Sequence, residues 1–313
     1  MKIYHGIDDF VKLNNAIVTS GTFDGVHVGH QKILTRLREV AARNNGETVV
    51  ITYWPHPRLV LHPEDDTLKL LNTFEEKADL LKIQGIQHLV RIPFTKEFSN
   101  LNSEEFIKKI LVETIGTKKL VIGYDHHFGK NREGSFEQLK VNAPRYGFEV
   151  EEIPRLDVDH VGVSSTRIRQ ALEQGDIHTA NHFLGRAYSL TGRVIAGDKI
   201  GRLIGYPTAN IDLDTKFKLI PMHGIYAVTV SHEGRIYGGM LYIGYRPTIN
   251  GTRLNIEVNI FDFKQDIYGE SITVHFHKMI RGDEKFGDLE QLKAQLKIDQ
   301  DNSLEVLQNI QLR

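Results

Sequence analysis

The chain has 313 residues, no cysteine and a formal net charge of −1, which excludes disulfides, thiolate catalysis and Cys-based zinc sites. It also leaves no global positive field for binding nucleic acid or an anionic membrane surface. With 40% hydrophobic and 25% charged residues the composition is that of a soluble globular protein, and the length suits about two domains. No apolar run is long enough to span a bilayer, and Met1 to Gly6, followed by Asp8 and Asp9, lacks the apolar core of a signal peptide. The expectation is a cytoplasmic protein, with which the absence of cysteine agrees.

In chain order, Ala16-Ile17-Val18 reads as a buried parallel strand, followed by Ile33, Leu34, Leu37, Val40 and Ala41 at helical spacing. Further strands are predicted at Thr48 to Tyr53, His88 to Phe94, Lys119 to Gly123 and Phe148 to Ile153. Thr73-Phe74-Glu75-Glu76 predicts a capping box opening a helix that runs to Gln84 and closes at Gly85. Another helix is predicted from near Asn102, burying Phe106, Ile110 and Leu111. This alternation predicts an α/β domain, a Rossmann-like doubly wound sheet with its ligand crevice at the carboxyl ends of the strands.

Arg167 to Gly185 reads as helical, and a boundary near its end gives domains of 1–186 and 187–313. From Tyr188 the period changes to two: Ser189, Thr191 and Arg193 alternate with Leu190, Gly192 and Val194, and Ile225 to Val230 repeats the habit. Strands at Ile236 to Ile243, Ile256 to Phe263 and Ile272 to Phe276, separated by glycine-containing turns, predict a small antiparallel β-barrel. Two helices, from about Asp288 and about Ser303, are expected to finish the chain.

The most informative stretch is Gly21-Thr22-Phe23-Asp24-Gly25-Val26-His27-Val28-Gly29-His30, which joins the first strand to the first helix. A glycine-containing turn there presents backbone N–H groups at the positive end of a helix, a seat for anionic oxygens. His27 and His30 flank Gly29, and two imidazoles at this spacing can bond triphosphate oxygens as pyrophosphate leaves. Taken alone, the two histidines also fit a metal pair or surface positions. Asp24 in such a turn is more often a loop or cap residue.

The stretch resembles the His-x-Gly-His signature of the nucleotidylyltransferase superfamily, in the Gly-Thr-Phe-Asp-Gly form of its FMN adenylyltransferase branch. Far downstream, Gly205-Tyr206-Pro207-Thr208-Ala209-Asn210 resembles the Gly-Phe/Tyr-Pro-Thr-Ala-Asn signature of riboflavin kinases. Taken whole, the chain resembles the bifunctional bacterial riboflavin kinase/FMN adenylyltransferase family, also called FAD synthetases. The resemblance implies ATP-dependent phosphorylation of riboflavin to FMN, then adenylyl transfer from ATP to FMN, giving FAD and pyrophosphate. Mg²⁺ would arrive with ATP, and flavins would be substrates and products. It implies no nucleic-acid or membrane partner and leaves a homo-oligomer open.

For adenylyl transfer, the resemblance assigns His27 and His30 to the phosphates, with Gly21, Phe23 and Gly29 lining ATP. Val163 to Arg169 is similar to the family's Ile-Ser-Ser-Thr-x-x-Arg segment, which gives Ser165, Thr166 and Arg169 to the β- and γ-phosphates. Read without the family, those hydroxyls more readily cap a helix. Gly123 to Gly129 resembles the loop that holds the flavin nucleotide and nominates Asp125 and Phe128, although His126 stands where the family has phenylalanine. Adjacent His126 and His127 point apart on an extended segment, which disfavours a protein-bound metal.

For the kinase, the resemblance assigns Thr208 and Asn210 to nucleotide phosphates and Mg²⁺, in a loop between strands. Asn255 to Phe263 resembles the segment whose carboxylate, here Glu257, accepts the riboflavin 5′-hydroxyl proton; Asn259 replaces its usual histidine. Alternation alone cannot place Glu257 inside or outside. Gly197 to Gly201 loosely matches a phosphate loop, and Arg281 lies in a stretch resembling the flap over the flavin. The alternative, a flavin-binding regulatory protein with one module catalytically degenerate, rests on Asn259 and His126. A nucleotidylyltransferase with another acceptor is opposed by the kinase motif.

Overall fold

A computed structural model describes residues 1–124, 128–129, 134–154, 157–158, 161–197, 200–248, 251–308 and 310. The chain divides into two units, Met1–Ser165 and Thr166–Arg313.

The first unit is built on six parallel strands: β1 (Lys2–Tyr4), β2 (Ala16–Ser20), β3 (Glu47–Trp54), β4 (His88–Pro93), β5 (Thr117–Gly123) and β6 (Glu149–Ile153). Their order is β1-β4-β3-β2-β5-β6. The chain moves outward from β2 through β3 and β4, then crosses to β5 and β6 on the other side. β2 is therefore the switch point, and its carboxyl end opens on the crevice where such sheets bind ligands. The strand β1 was not anticipated, because three residues are too few to display a period.

The helices of this unit are α1 (Val28–Arg43), α2 (Pro57–Leu61), α3 (Phe74–Ile83), α4 (Lys96–Ser99), α5 (Ser103–Glu105) and α6 (Phe136–Tyr146), of which α1, α3 and α6 bury apolar residues. The Thr73 capping box is present, as is a second one at Asn102 opening α5. α5 runs into a π-helical stretch, Phe106–Ile115, that buries Phe106, Ile110 and Leu111. All five β2 residues are buried. Ile17 packs with α1's Leu34, Leu37 and Val40 on one face, and Val18 with Ile110 and Leu111 on the other. A short hairpin, β7 (Asp157–Val158) and β8 (Val161–Gly162), completes this unit's strands among the described residues.

The segment 167–185 forms two helices, α7 (Ser165–Glu173) and α8 (Ile177–Leu184). Gly175, at φ +76°, turns the chain between them, and Asp176 caps the second by accepting from the Thr179 N–H. α8 is tied to the barrel that follows. Asn181 donates to the Phe276 carbonyl at 2.8 Å and accepts from the Tyr188 N–H at 2.7 Å. On α7, the Leu172 carbonyl accepts from the Met222 N–H at 3.0 Å, which ties that helix to the second unit as well.

That unit is a closed antiparallel barrel in the order β10-β13-β12-β11-β14-β9. Its strands are β9 (Tyr188–Ile195), β10 (Ala209–Asp212), β11 (Gly224–His232), β12 (Arg235–Thr248), β13 (Gly251–Ile260) and β14 (Ser271–Gly282). A short helix, α9 (Ile200–Leu203), precedes β10. The expected pair of terminal helices is instead one helix, α10 (Leu289–Leu307). Asp299, Ser303 and Leu307 are all buried at four-residue spacing on one face, so Ser303 continues that face rather than capping a new helix.

Candidate active sites

The turn from β2 into α1 holds Phe23 at φ +48°, Gly25 at +85° and Val26 at +39°. Left-handed backbone is unfavourable for bulky and β-branched residues, so burial must enforce it: Phe23 is 3% exposed and Val26 1%. The Val26 N–H bonds the Phe23 carbonyl at 3.2 Å, and the Gln31 amide donates to the Val26 carbonyl at 2.9 Å. Backbone strain of this kind concentrates at functional sites.

His27 caps α1, its Nδ1 accepting from the His30 N–H at 3.3 Å. An accepting Nδ1 puts the proton of a neutral ring on Nε2, which becomes a donor towards anionic oxygen. The two imidazoles stack with centroids 3.7 Å apart, and Phe23 lies 5.1 Å from His30. The glycines make this packing possible. A Cβ on Gly29 would sit 3.2 Å from the His27 ring, and one on Gly21 would sit 3.3 Å from the Phe23 ring. No acidic residue occupies the first turn of α1, so no carboxylate of that turn offsets the helix's positive end.

Asp24 is 3% exposed and acts as a clamp. Its Oδ1 accepts from the N–H groups of Leu71 at 2.9 Å and Asn72 at 3.3 Å, while its carbonyl accepts the Ser165 hydroxyl at 2.8 Å. The histidine motif and the second serine of the Val163 to Arg169 segment therefore meet at Asp24. Thr166 is exposed and Arg169 half-buried, both on α7 beyond the division between units. Phe128 is buried in the core, 5.5 Å from the Phe106 ring. Asp125 and His126 lie outside the described residues.

In the barrel, Asn210 lies on β10 rather than in a loop and pairs in register with Glu257 on β13. Glu257 is 8% exposed. Its Oε2 accepts the Thr208 hydroxyl at 3.1 Å, and its Oε1 accepts the Asn255 amide. A Cβ on Gly197 would fall 2.2 Å from the Asn210 Nδ2, so the glycine loop is packed directly on this group. Beside it is a cavity of about 150 Å³ lined by Arg202, Thr208, Val258, Phe263 and Tyr268 among others. Arg281 is committed elsewhere in this structure: its Nε and Nη2 each lie 2.9 Å from a carboxylate oxygen of the fully buried Asp299 on α10.

Two family profiles match the chain: FAD synthetase over residues 10–167 and riboflavin kinase over residues 184–307. A Pseudomonas fluorescens protein described as a bifunctional riboflavin kinase/FMN adenylyltransferase is 37% identical over 284 residues, covering 90% of each chain. The chain belongs to the bifunctional riboflavin kinase/FMN adenylyltransferase family. The family member from Escherichia coli strain K12 is 35% identical over 303 residues, 96% of each chain. A crystal structure from Streptococcus pneumoniae, described as a macrolide-efflux protein, matches with a TM-score of 0.88 and 33% identity over 97% of this chain and 98% of that one. Among the described residues no helix is long and apolar enough to cross a membrane.

The Asn259 amide donates to the Pro207 carbonyl at 2.7 Å. The amide thereby fixes the loop that carries Thr208. Asn255 carries no motif signal of its own. The available signal was its i, i+2 relation to Glu257, which puts both side chains on one face of the strand.

Proposed function

We propose that the chain phosphorylates riboflavin to FMN in the barrel unit and adenylylates FMN to FAD at the turn between β2 and α1, using one MgATP for each step. The observation that supports this most is the buried Glu257 carboxylate, held by Thr208 and Asn255 in register with Asn210. A base fixed this way can accept the riboflavin 5′-hydroxyl proton while that oxygen bonds the γ-phosphorus and the bond to ADP breaks. Thr208 and Asn210 offer oxygen donors, which suit Mg²⁺ as it arrives on ATP. Arg281 braces α10 at the base of the stretch assigned to the flavin flap.

In the second step an FMN phosphate oxygen bonds the α-phosphorus and pyrophosphate departs. Positioning and charge stabilisation suffice for this, with no nucleophilic side chain. The His27 Nε2–H, His30 and the N-terminus of α1 meet the growing charge. Gly21, Phe23 and Gly29 shape the turn, and Ser165, Thr166 and Arg169 serve the outer phosphates. Asp125 and Phe128 belong to the flavin side. We place the division of activities near Arg186, with adenylyl transfer in 1–186 and the kinase in 187–313, in a cytoplasmic protein.

Incubation with riboflavin and MgATP, resolving the three flavins over time, tests the reading. FMN should rise first and FAD follow. Failure to form FMN would overturn the kinase assignment, and FMN that never becomes FAD would overturn the other.

A further inference from the structure

The residues that Asp24 clamps, Leu71 and Asn72, immediately precede the Thr73 cap of α3. Lys77, one turn into that helix, is 2% exposed, although lysine is almost never fully buried without a partner. Its Nζ lies 3.4 Å from the Thr52 Oγ1 and 5.2 Å from the centre of the Trp54 ring, both on β3. Thr52 in turn donates to the Thr22 carbonyl at 3.3 Å, inside the phosphate turn. Burial draws the Lys77 ammonium down to about 8, and the Asp24 carboxylate pulls the other way. A methionine would fill similar space without the cost of burying a charge. None of the steps above uses this amine, yet its hydrogen bond leads through Thr52 to Thr22 in the turn, and its helix begins directly after the two residues that Asp24 holds.

We propose that Lys77 is a positioning residue for adenylyl transfer: its buried ammonium balances the Asp24 carboxylate and so holds the phosphate turn against the start of α3, with His27 and His30 in their stacked arrangement. This rests on the adenylyl-transfer reading of the turn. Lys77 touches neither nucleotide nor flavin in this account. Its effect is expected in turnover rather than in flavin affinity.

The test uses the full chain. Lys77→Met should lower kcat for FAD formation from FMN by about tenfold or more, with KM for FMN changed by less than about threefold. Riboflavin phosphorylation should be unchanged. Asp24→Asn keeps an oxygen for the Leu71 and Asn72 N–H groups but removes the charge. The double variant Asp24→Asn/Lys77→Met should therefore recover to within about threefold of wild type, a strongly non-additive result.

Trp54, the sole tryptophan, reports folding of the first unit. If Lys77→Met alone unfolds that unit, the double variant still decides: restored emission and turnover support the proposal, and an unfolded or inactive double variant overturns it. A wild-type rate in Lys77→Met overturns the inference alone. Wild type that makes no FAD from FMN overturns the functional reading and the inference with it.

Discussion

The two candidate centres are built from different materials. The turn between β2 and α1 is one contiguous run of chain, with left-handed backbone at Phe23 and Val26, a helix N-terminus and two stacked imidazoles. The barrel centre is assembled from separated pieces. Thr208 comes from a loop, Asn210 from β10, Asn255 and Glu257 from β13, and the register of β10 on β13 brings them together. The turn itself depends first on local conformation, whereas the barrel centre depends on strand pairing. Perturbing either should leave the other chemistry intact.

The largest break in that comparison should come from His27→Ala with His30→Ala. Removing two groups that meet transition-state charge should cost adenylyl transfer ~3–6 kcal/mol, taking each as comparable to an oxyanion-hole donor. FMN should accumulate from riboflavin at the wild-type rate, as chromatography of the flavins will record. FAD synthesis at the normal rate would remove the histidines from the mechanism.

Glu257→Gln keeps the side chain's shape and removes its basicity. Riboflavin phosphorylation should fall by about 10²–10⁴-fold, while supplied FMN still becomes FAD. Undiminished FMN production would make Glu257 structural.

The same contrast explains what the sequence could reveal. The His27 to His30 turn was legible because its residues are neighbours, and the β-strands at 188–195 and 225–230 because alternation is local. Glu257 was ambiguous, since both of its strand's faces are buried: Ile256 is 5% exposed and Glu257 8%. Only pairing with β10 shows what Glu257 faces. Asp24's clamp on Leu71 and Asn72 and the charge of Lys77 likewise arise from contacts between distant segments. Nor does the sequence show that the chain ends in one helix rather than two, because the burial of Ser303 on the face of α10 is a tertiary fact.

A smaller effect should sharpen the assembled side of the comparison. Gly197→Ala puts a Cβ against the Asn210 amide, an overpacking that costs about 1–3 kcal/mol. It should weaken riboflavin phosphorylation and leave adenylyl transfer unaltered, as parallel assays on one preparation will show. An unchanged kinase would mean that the glycine loop moves aside freely.

The smallest expected effect concerns pH. His277, bonded to the Thr229 hydroxyl at 2.9 Å, is drawn down to about 4, first by desolvation and then by the neighbouring His275. Between about 6.5 and 4 the unfolded chain takes up a proton that the folded barrel does not, so this contribution to stability is lost as pH falls through that window. Hydrogen exchange of the barrel amides in urea should show the decline, and His277→Gln should flatten it. A slope identical in the variant would assign the decline to other groups.

The central claim is that the kinase centre is complete within the second unit. The direct measurement is riboflavin phosphorylation by residues 166–313 alone, a fragment that keeps the Asn181 bonds to Phe276 and Tyr188. The account predicts a cooperatively folded fragment with the kcat and KM for riboflavin of the intact chain, and no FAD. A folded fragment without kinase activity, where the intact chain has it, would contradict the claim.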